Sequence, residues 1–148
     1  MTLHFEDMTL GRVFELGSTV ITEAAIVDFA TRFDPQPFHV DPEAAVDSIY
    51  GGLIASGWHT CAMFMRLMCD GLLSRSSSMG SPGMDEIRWP NPVRPGDTLT
   101  ATAEVAEARR SASKPDRGIV RLISRMHNQH GDPVLTMTGT GFYACRDS

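Results

Sequence analysis

Apolar and polar residues alternate with a period of two in residues 98–105, where Leu99, Ala101 and Ala103 are separated by threonines. This alternation is typical of a strand with one buried face. Two long apolar segments follow it, and the residues between them include Gly131 and Pro133, which indicate a turn between antiparallel neighbours. The predicted strands cover residues 13–20, 84–90, 98–105, 119–127 and 134–143.

A helical period appears in two other segments. Thr22 is a predicted N-cap, and the helix that follows it should end near Asp34, because Pro35 disfavours helical geometry in the residue before it. A second helix is predicted from Gly57 to about Leu73; its apolar residues cover most of its circumference, so we expect it to be buried by the rest of the chain. The apolar face of the first helix comprises Ile26, Phe29, Ala30 and Phe33.

One long apolar helix wrapped by a curved antiparallel sheet is an α+β architecture. With 148 residues and 42% hydrophobic content, the chain suits a single domain that spans residues 1–148. A single curved sheet leaves its edge strands unpaired, and pairing two such edges across a twofold axis would protect them. We therefore expect a homodimer or a larger even homo-oligomer.

Charge and hydropathy exclude several partners. The formal net charge of -5 argues against nucleic acid, since nucleic-acid-binding proteins concentrate Lys and Arg on one face. No apolar run reaches the roughly 18 residues that a bilayer span requires. Glu6 and Asp7 lie where a signal peptide would be basic and then apolar, so we expect a cytoplasmic protein without a membrane partner. The three cysteines form no CxxC pair, so neither a disulfide framework nor a metal site is predicted.

The residues with the clearest chemical potential are Asp34 and His39. Pro35 and Pro37 restrict the segment that holds them, which suits a site that must fix two side chains. An isolated acid and histidine at this spacing are more often structural, but here a glycine-bearing turn leads into the apolar helix at Gly57. Free N–H groups at a helix start can stabilise an oxygen that becomes negative during a reaction. The pattern therefore favours acid/base chemistry beside a backbone oxyanion donor.

The segment from Asp34 through His39 to residues 51–57 resembles the signature of MaoC-like dehydratases, which include the R-specific enoyl-CoA hydratases of hot-dog fold. The similarity covers nearly the whole chain, because the central helix, the turn at residues 94–97 and the C-terminal strands follow in the family's order. It implies a hot-dog fold and a hydro-lyase that adds water to a trans-2-enoyl thioester. In that role Asp34 and His39 would hold and activate the catalytic water, and the Gly57 N–H would polarise the thioester carbonyl.

The chain departs from the family pattern at three positions. Gln36 stands where the family usually has Asn, Ser56 where it commonly has His, and Met65 where many hydratases have Ser. The resemblance implies substrate-binding positions at Gln36, Ser56, Trp58 and Met65. It also implies that the partner is an acyl-CoA or acyl-carrier thioester, with coenzyme A as part of the substrate and no separate cofactor.

Two other functions stay open at this stage. A hot-dog thioesterase resembles this fold but usually takes its carboxylate from the central helix, where Asp70 is available only far from the helix start. A non-catalytic acyl-CoA-binding protein would keep Asp34 and His39 as loop structure.

Overall fold

The computed structural model describes residues 1–147. The described residues form five strands, four helices and two short 3₁₀ turns, the latter at Phe5–Asp7 and Leu73–Arg75. The four helices follow the first strand, and the other four strands follow the helices. The strands are β1 (Val13–Val20), β2 (Gly83–Arg88), β3 (Thr98–Arg110), β4 (Arg117–His127) and β5 (Pro133–Ala144). The helices are α1 (Glu23–Phe33), α2 (Pro37–Val40), α3 (Pro42–Val46) and α4 (Gly57–Gly71).

All five strands form one antiparallel sheet in the order β1-β3-β4-β5-β2, with β1 and β2 at its edges. The predicted alternation is confirmed in β3, where Leu99, Ala101, Ala103 and Val105 are fully buried. β3 runs five residues past the predicted end, as far as Arg110. Residues 107–110 pair with β4 after a register shift at Ala106, and both of their faces are exposed, so no alternation of buried and exposed positions marks them in the sequence.

Helix α1 leads the chain towards Asp34. The Thr22 side chain caps it by accepting a hydrogen bond from the Ala25 N–H at 3.1 Å. Ile26 and Ala30 are buried as predicted, but the prediction for Phe33 is wrong, because this side chain is 66% exposed. The last turn of α1 extends beyond the core, and the Phe33 ring contacts Phe29 and the Arg32 guanidinium instead.

Helix α4 packs across one face of the sheet, mainly against β1. One side of the helix is buried, and the opposite side is exposed, so the prediction that α4 is buried around most of its circumference is wrong. A five-stranded sheet reaches only one side of a helix, and apolar Trp58 and Met65 are left 56% and 44% exposed. None of the helices in residues 1–147 has the length and apolar character that crossing a membrane requires.

His59, on the buried side of α4, stacks in parallel on the Phe29 ring with centroids 4.6 Å apart. It is 8% exposed, and its Nδ1 has no hydrogen-bond partner among the described residues. Burial lowers the pKa of this imidazole from the ordinary value of 6.5. Folding therefore favours the neutral form of the His59 ring, whereas in the unfolded chain this imidazole takes up a proton near pH 6.5.

The free energy of unfolding is therefore expected to fall as the pH drops below 6.5, by at most about 1.4 kcal/mol per pH unit from this group, and to level off below the folded-state pKa. Urea unfolding from pH 8 to pH 5 measures this dependence. His59→Phe keeps the stack on Phe29 and removes the titrating group, so its dependence should be weaker. An equally steep dependence in that variant would contradict the prediction.

Candidate active site

Asp34 and His39 are positioned by the junction between α1 and α2. Asp34 is the C-cap of α1, and its N–H donates to the Ala30 carbonyl at 2.8 Å. The following residues form the single-turn helix α2, with Pro37 at its first position, where a missing N–H costs nothing. This turn places the His39 ring beside the Asp34 carboxylate.

His39 is 5% exposed, and both of its ring nitrogens have defined neighbours. Nδ1 lies 2.8 Å from the Ile54 carbonyl oxygen. Because a carbonyl only accepts hydrogen bonds, this contact assigns a proton to Nδ1. Nε2 then faces Asp34 Oδ2 at 3.4 Å. In a neutral ring, Nε2 is an acceptor that points towards the carboxylate.

The Asp34 carboxylate accepts two further hydrogen bonds. Ser56 Oγ donates to Oδ2 at 2.7 Å, and Gln36 Nε2 donates to Oδ1 at 2.7 Å. Burial raises the pKa of Asp34, but the hydrogen bonds from Gln36 and Ser56 and the electrostatic interaction with His39 outweigh it and lower the pKa below the ordinary value of 3.8. Asp34 is therefore a carboxylate at neutral pH.

Ser56 joins this carboxylate to the start of α4. It is fully buried, and its Oγ also accepts a hydrogen bond from the Trp58 N–H at 3.2 Å as the N-cap of the helix. The next residue, Gly57, is the first of α4, and its N–H has no acceptor among residues 1–147. A free N–H at the positive end of a helix dipole is suited to bind a partly negative oxygen.

One cavity of about 450 Å³ brings several of these groups together. Gln36, His39 and Gly57 line it, and Asp34 contacts two of its lining residues. Sequence reasoning missed the Ile54 carbonyl, which orients His39; it gives no sequence signal, since every residue carries a carbonyl. The remaining lining residues are Phe38, Tyr50, Ile54, Ala55, Thr60, Trp89, Pro90, Asn91, Pro92, Val93 and Val134.

Trp58 and Met65 lie outside this cavity. The Trp58 indole is exposed and packs edge to face against Trp89, with ring centroids 5.3 Å apart. Met65 lines a second, apolar cavity of about 200 Å³, between α4 and the strands near the β2 edge. In residues 1–147, no three His, Cys, Asp or Glu side chains are grouped closely enough to hold a metal ion.

Comparisons with known proteins place this geometry in a family. The model of the MaoC like domain matches residues 7–126. The chain belongs to the MaoC-like domain family. A MaoC-like dehydratase from Rhodospirillum rubrum is 42% identical, with a TM-score of 0.90 and 99% of each chain covered. The five-stranded sheet with its central helix is the hot-dog fold, as the resemblance implied.

Two further structures resemble this MaoC-like chain. The (R)-hydratase from A. caviae involved in PHA biosynthesis is 26% identical, with a TM-score of 0.76 and coverage of 95% of this chain and 99% of that one. A monoamine oxidase regulatory protein from Archaeoglobus fulgius is 30% identical, with a TM-score of 0.86 and coverage of 97% and 95%. Family membership and the likeness to the (R)-hydratase support hydratase or dehydratase chemistry in general terms.

Two of the departures from the MaoC-like pattern, Gln36 and Ser56, bind the Asp34 carboxylate in this structure. Gln36 lines the cavity, whereas Ser56 is fully buried and is not among the lining residues. The predicted contact of either residue with substrate stays a prediction. Only Ser56 bonds to Oδ2, the oxygen that faces His39.

Ser56→Ala is expected to raise the pKa of Asp34, because it removes a donor that stabilises the carboxylate. Loss of the N-cap should also lower the free energy of unfolding by about 1 kcal/mol. A ¹³C NMR titration of the Asp34 carboxyl measures the first effect, and urea unfolding the second. Thr22→Ala is the matched control, since it removes the N-cap of α1 without touching Asp34. Equal Asp34 pKa values in the two variants would contradict the prediction.

Proposed function

We propose that this MaoC-like protein is a hydro-lyase that adds water to a trans-2-enoyl thioester, with enoyl-CoA as the substrate. The observation that carries the proposal is the contact between Asp34 Oδ2 and His39 Nε2 at 3.4 Å. The other two polar atoms of the pair, His39 Nδ1 and Asp34 Oδ1, are already hydrogen-bonded to the Ile54 carbonyl and to Gln36. At neutral pH Asp34 is ionised. In the neutral form of His39 the proton lies on Nδ1, so Nε2 presents a lone pair to the carboxylate. In this form Asp34 Oδ2 and His39 Nε2 are both hydrogen-bond acceptors, so a third group that donates to both is needed between them.

A water molecule meets that requirement. It can donate one hydrogen to Asp34 Oδ2 and the other to His39 Nε2, which leaves an oxygen lone pair for attack on C3 of the enoyl group. As the C–O bond forms, the pair takes a proton from this water, and a proton is delivered to C2. The division of these two transfers between Asp34 and His39 stays open.

The Gly57 N–H supplies the oxyanion donor in this proposal. Attack at C3 moves negative charge through C2 to the thioester oxygen, and a fixed N–H at a helix start stabilises that charge without reorganisation. The N–H faces no competing acceptor in the described residues, and Gly57 lines the same cavity as His39. Addition of water across the double bond then needs neither a metal nor a redox cofactor.

The acyl chain has a candidate site in the second cavity. Thr60 lines the cavity that also contains His39 and Gly57 (the catalytic cavity). Phe64, one helical turn further along α4, lines the apolar cavity together with Met65 and Met68. Methionine side chains adapt to chains of different shape, which suits an acyl subsite. The choice between coenzyme A and an acyl carrier protein, and the cytoplasmic location, stay predictions.

A homodimer is part of the same proposal. Strand β2 forms one edge of the sheet and is almost entirely exposed. The apolar side chains of Trp58, Met65 and Met84, on α4 and β2, are 44% to 56% exposed. A second copy that pairs along β2 would cover both the strand edge and these side chains. Light scattering coupled to gel filtration measures the molar mass in solution, which should be twice the 16.2 kDa of the chain.

A second candidate function is an acyl-thioester-binding role without turnover. It is favoured by the structural likeness to the monoamine oxidase regulatory protein. A thioesterase is less well supported, because Asp70 lies on the exposed side of α4 and pairs with Arg66 at 2.9 Å.

The proposal is tested by mixing purified protein with trans-2-enoyl-CoAs of different length and branching. The measured quantity is the loss of the enoyl-thioester absorbance. Turnover that disappears in His39→Ala supports the hydro-lyase. Release of free thiol without hydration would indicate a thioesterase. Tight acyl-CoA binding with no turnover would favour the binding role and refute the hydro-lyase.

A further inference from the structure

The indole of Trp89 lies directly against Gly57. A Cβ atom built on Gly57 would be 2.4 Å from Trp89 Cε2 and 2.8 Å from Cζ2, far inside van der Waals contact. Only the hydrogen atoms of the glycine therefore fit between its Cα and the indole. Trp89 lines the catalytic cavity together with Gly57 and His39.

The Trp89 ring is held in this place by its neighbours. The Trp58 ring contacts it edge to face at 81°, a favourable arrangement for two aromatic rings. Pro90 and Pro92 restrict the segment that follows, and Asn91 Nδ2 donates to the Pro133 carbonyl at 2.8 Å. These contacts restrict the position of the indole beside Gly57.

Packing within the chain uses only part of the Trp89 surface. Trp89 is 41% exposed although its side chain is large and apolar. An exposed aromatic ring at the wall of a cavity is available for contact with a ligand. In the proposed function the ligand atoms nearest to Gly57 are those of the thioester.

This inference rests on the proposed function. A carbonyl oxygen that accepts from the Gly57 N–H lies about 2.9 Å from the nitrogen, so C1 and C2 of the acyl group lie within a few bond lengths of Gly57. The indole occupies the space next to Gly57 Cα, and no room remains there for an added carbon. We propose that Trp89 is a specificity-determining residue, whose indole packs against C1 and C2 of the enoyl thioester and excludes a substituent on C2.

Substrate competition measures this effect. The protein should hydrate crotonyl-CoA with a higher kcat/KM than tiglyl-CoA, which carries an added methyl group on C2. Trp89→Ala should shift the kcat/KM ratio towards tiglyl-CoA by about 10-fold or more, since one carbon in a fitted pocket typically changes discrimination by about 10- to 200-fold. Trp89→Phe keeps an aromatic wall of smaller size and should give a smaller shift.

Fluorescence gives a second measurement that does not depend on turnover. The chain has two tryptophans, so Trp58→Phe leaves Trp89 as the sole indole. Butyryl-CoA has no double bond to hydrate and serves as the probe. It should change the emission of Trp89 in Trp58→Phe more than free coenzyme A does, and it should change the emission of Trp89→Phe little.

The outcomes separate this inference from the function on which it rests. An unchanged crotonyl-to-tiglyl ratio in a folded Trp89→Ala that still hydrates crotonyl-CoA would overturn the role of Trp89 alone. Equal emission changes with butyryl-CoA and free coenzyme A would also overturn it, since the indole would then contact the nucleotide. If no enoyl-CoA is hydrated by the unmodified protein, the hydro-lyase proposal fails, and the fluorescence comparison still decides whether Trp89 contacts the acyl group.

Discussion

Replacing Asp34 with Asn is expected to lower kcat for enoyl-CoA hydration by about 10²- to 10⁴-fold, the usual contribution of a positioned acid/base group. The amide has nearly the same size as the carboxylate, so the fold should be retained. The asparagine amide cannot take up a proton, and its N–H group, directed at His39 Nε2, would occupy the acceptor that the proposed water needs. Initial rates with crotonyl-CoA measure the loss.

Asp41→Asn is the matched control for this prediction. Asp41 is a nearby carboxylate that caps α3 by accepting from the Glu43 and Ala44 N–H groups at 3.1 and 3.2 Å. Asparagine caps a helix as well as aspartate does, and Asp41 does not line the catalytic cavity. Activity should therefore persist in Asp41→Asn. If the two variants have similar rates, Asp34 is not the acid/base group.

Removing the Gly57 N–H is expected to lower kcat by about 10²- to 10³-fold, or roughly 2.7 to 4 kcal/mol of transition-state stabilisation. Proline removes this N–H and is tolerated at the first position of a helix. Ser56, which would precede the proline, already has φ -57° and ψ 139°, a conformation that a following proline accepts. The remaining obstacle is the Trp89 indole, which any Cβ at position 57 would meet.

A pair of double variants isolates the N–H from this clash. In both, Trp89→Ala makes room; one carries Gly57→Pro and the other Gly57→Ala. Each has a Cβ at position 57, but only the alanine variant keeps the N–H. The proline variant should have the lower kcat with crotonyl-CoA, at comparable thermal stability. Equal kcat values would show that the Gly57 N–H is not the oxyanion donor.

The fold was accessible to sequence reasoning wherever one face of an element is buried and the other is not. The alternation in residues 98–105 predicted β3, and the spacing after Thr22 predicted α1. The same reasoning failed for Phe33 and for the outer side of α4. An apolar side chain identifies a position that can be buried, whereas its burial depends on whether another element reaches it.

The candidate site was less predictable than the fold. Asp34, His39 and Gly57 were identifiable from residue type, spacing and the resemblance to MaoC-like dehydratases, and the structure brings them together around one cavity. Their catalytic roles stay predictions. The contacts of Ser56 and Gln36 with Asp34 could not be derived, since a hydroxyl or an amide at these positions has many possible partners.

The sequence by itself determined the order of the elements, the antiparallel sheet with its long helix, and the acid, histidine and glycine on which the proposed chemistry depends. Those features follow from local periodicity, proline geometry and residue chemistry. Only the tertiary structure decided that the Ile54 carbonyl orients His39, that Ser56 joins Asp34 to the start of α4, and that Trp89 covers Gly57. Such contacts join residues 15 to 32 positions apart, and their geometry is set by how α1, α2, α4 and the sheet pack together.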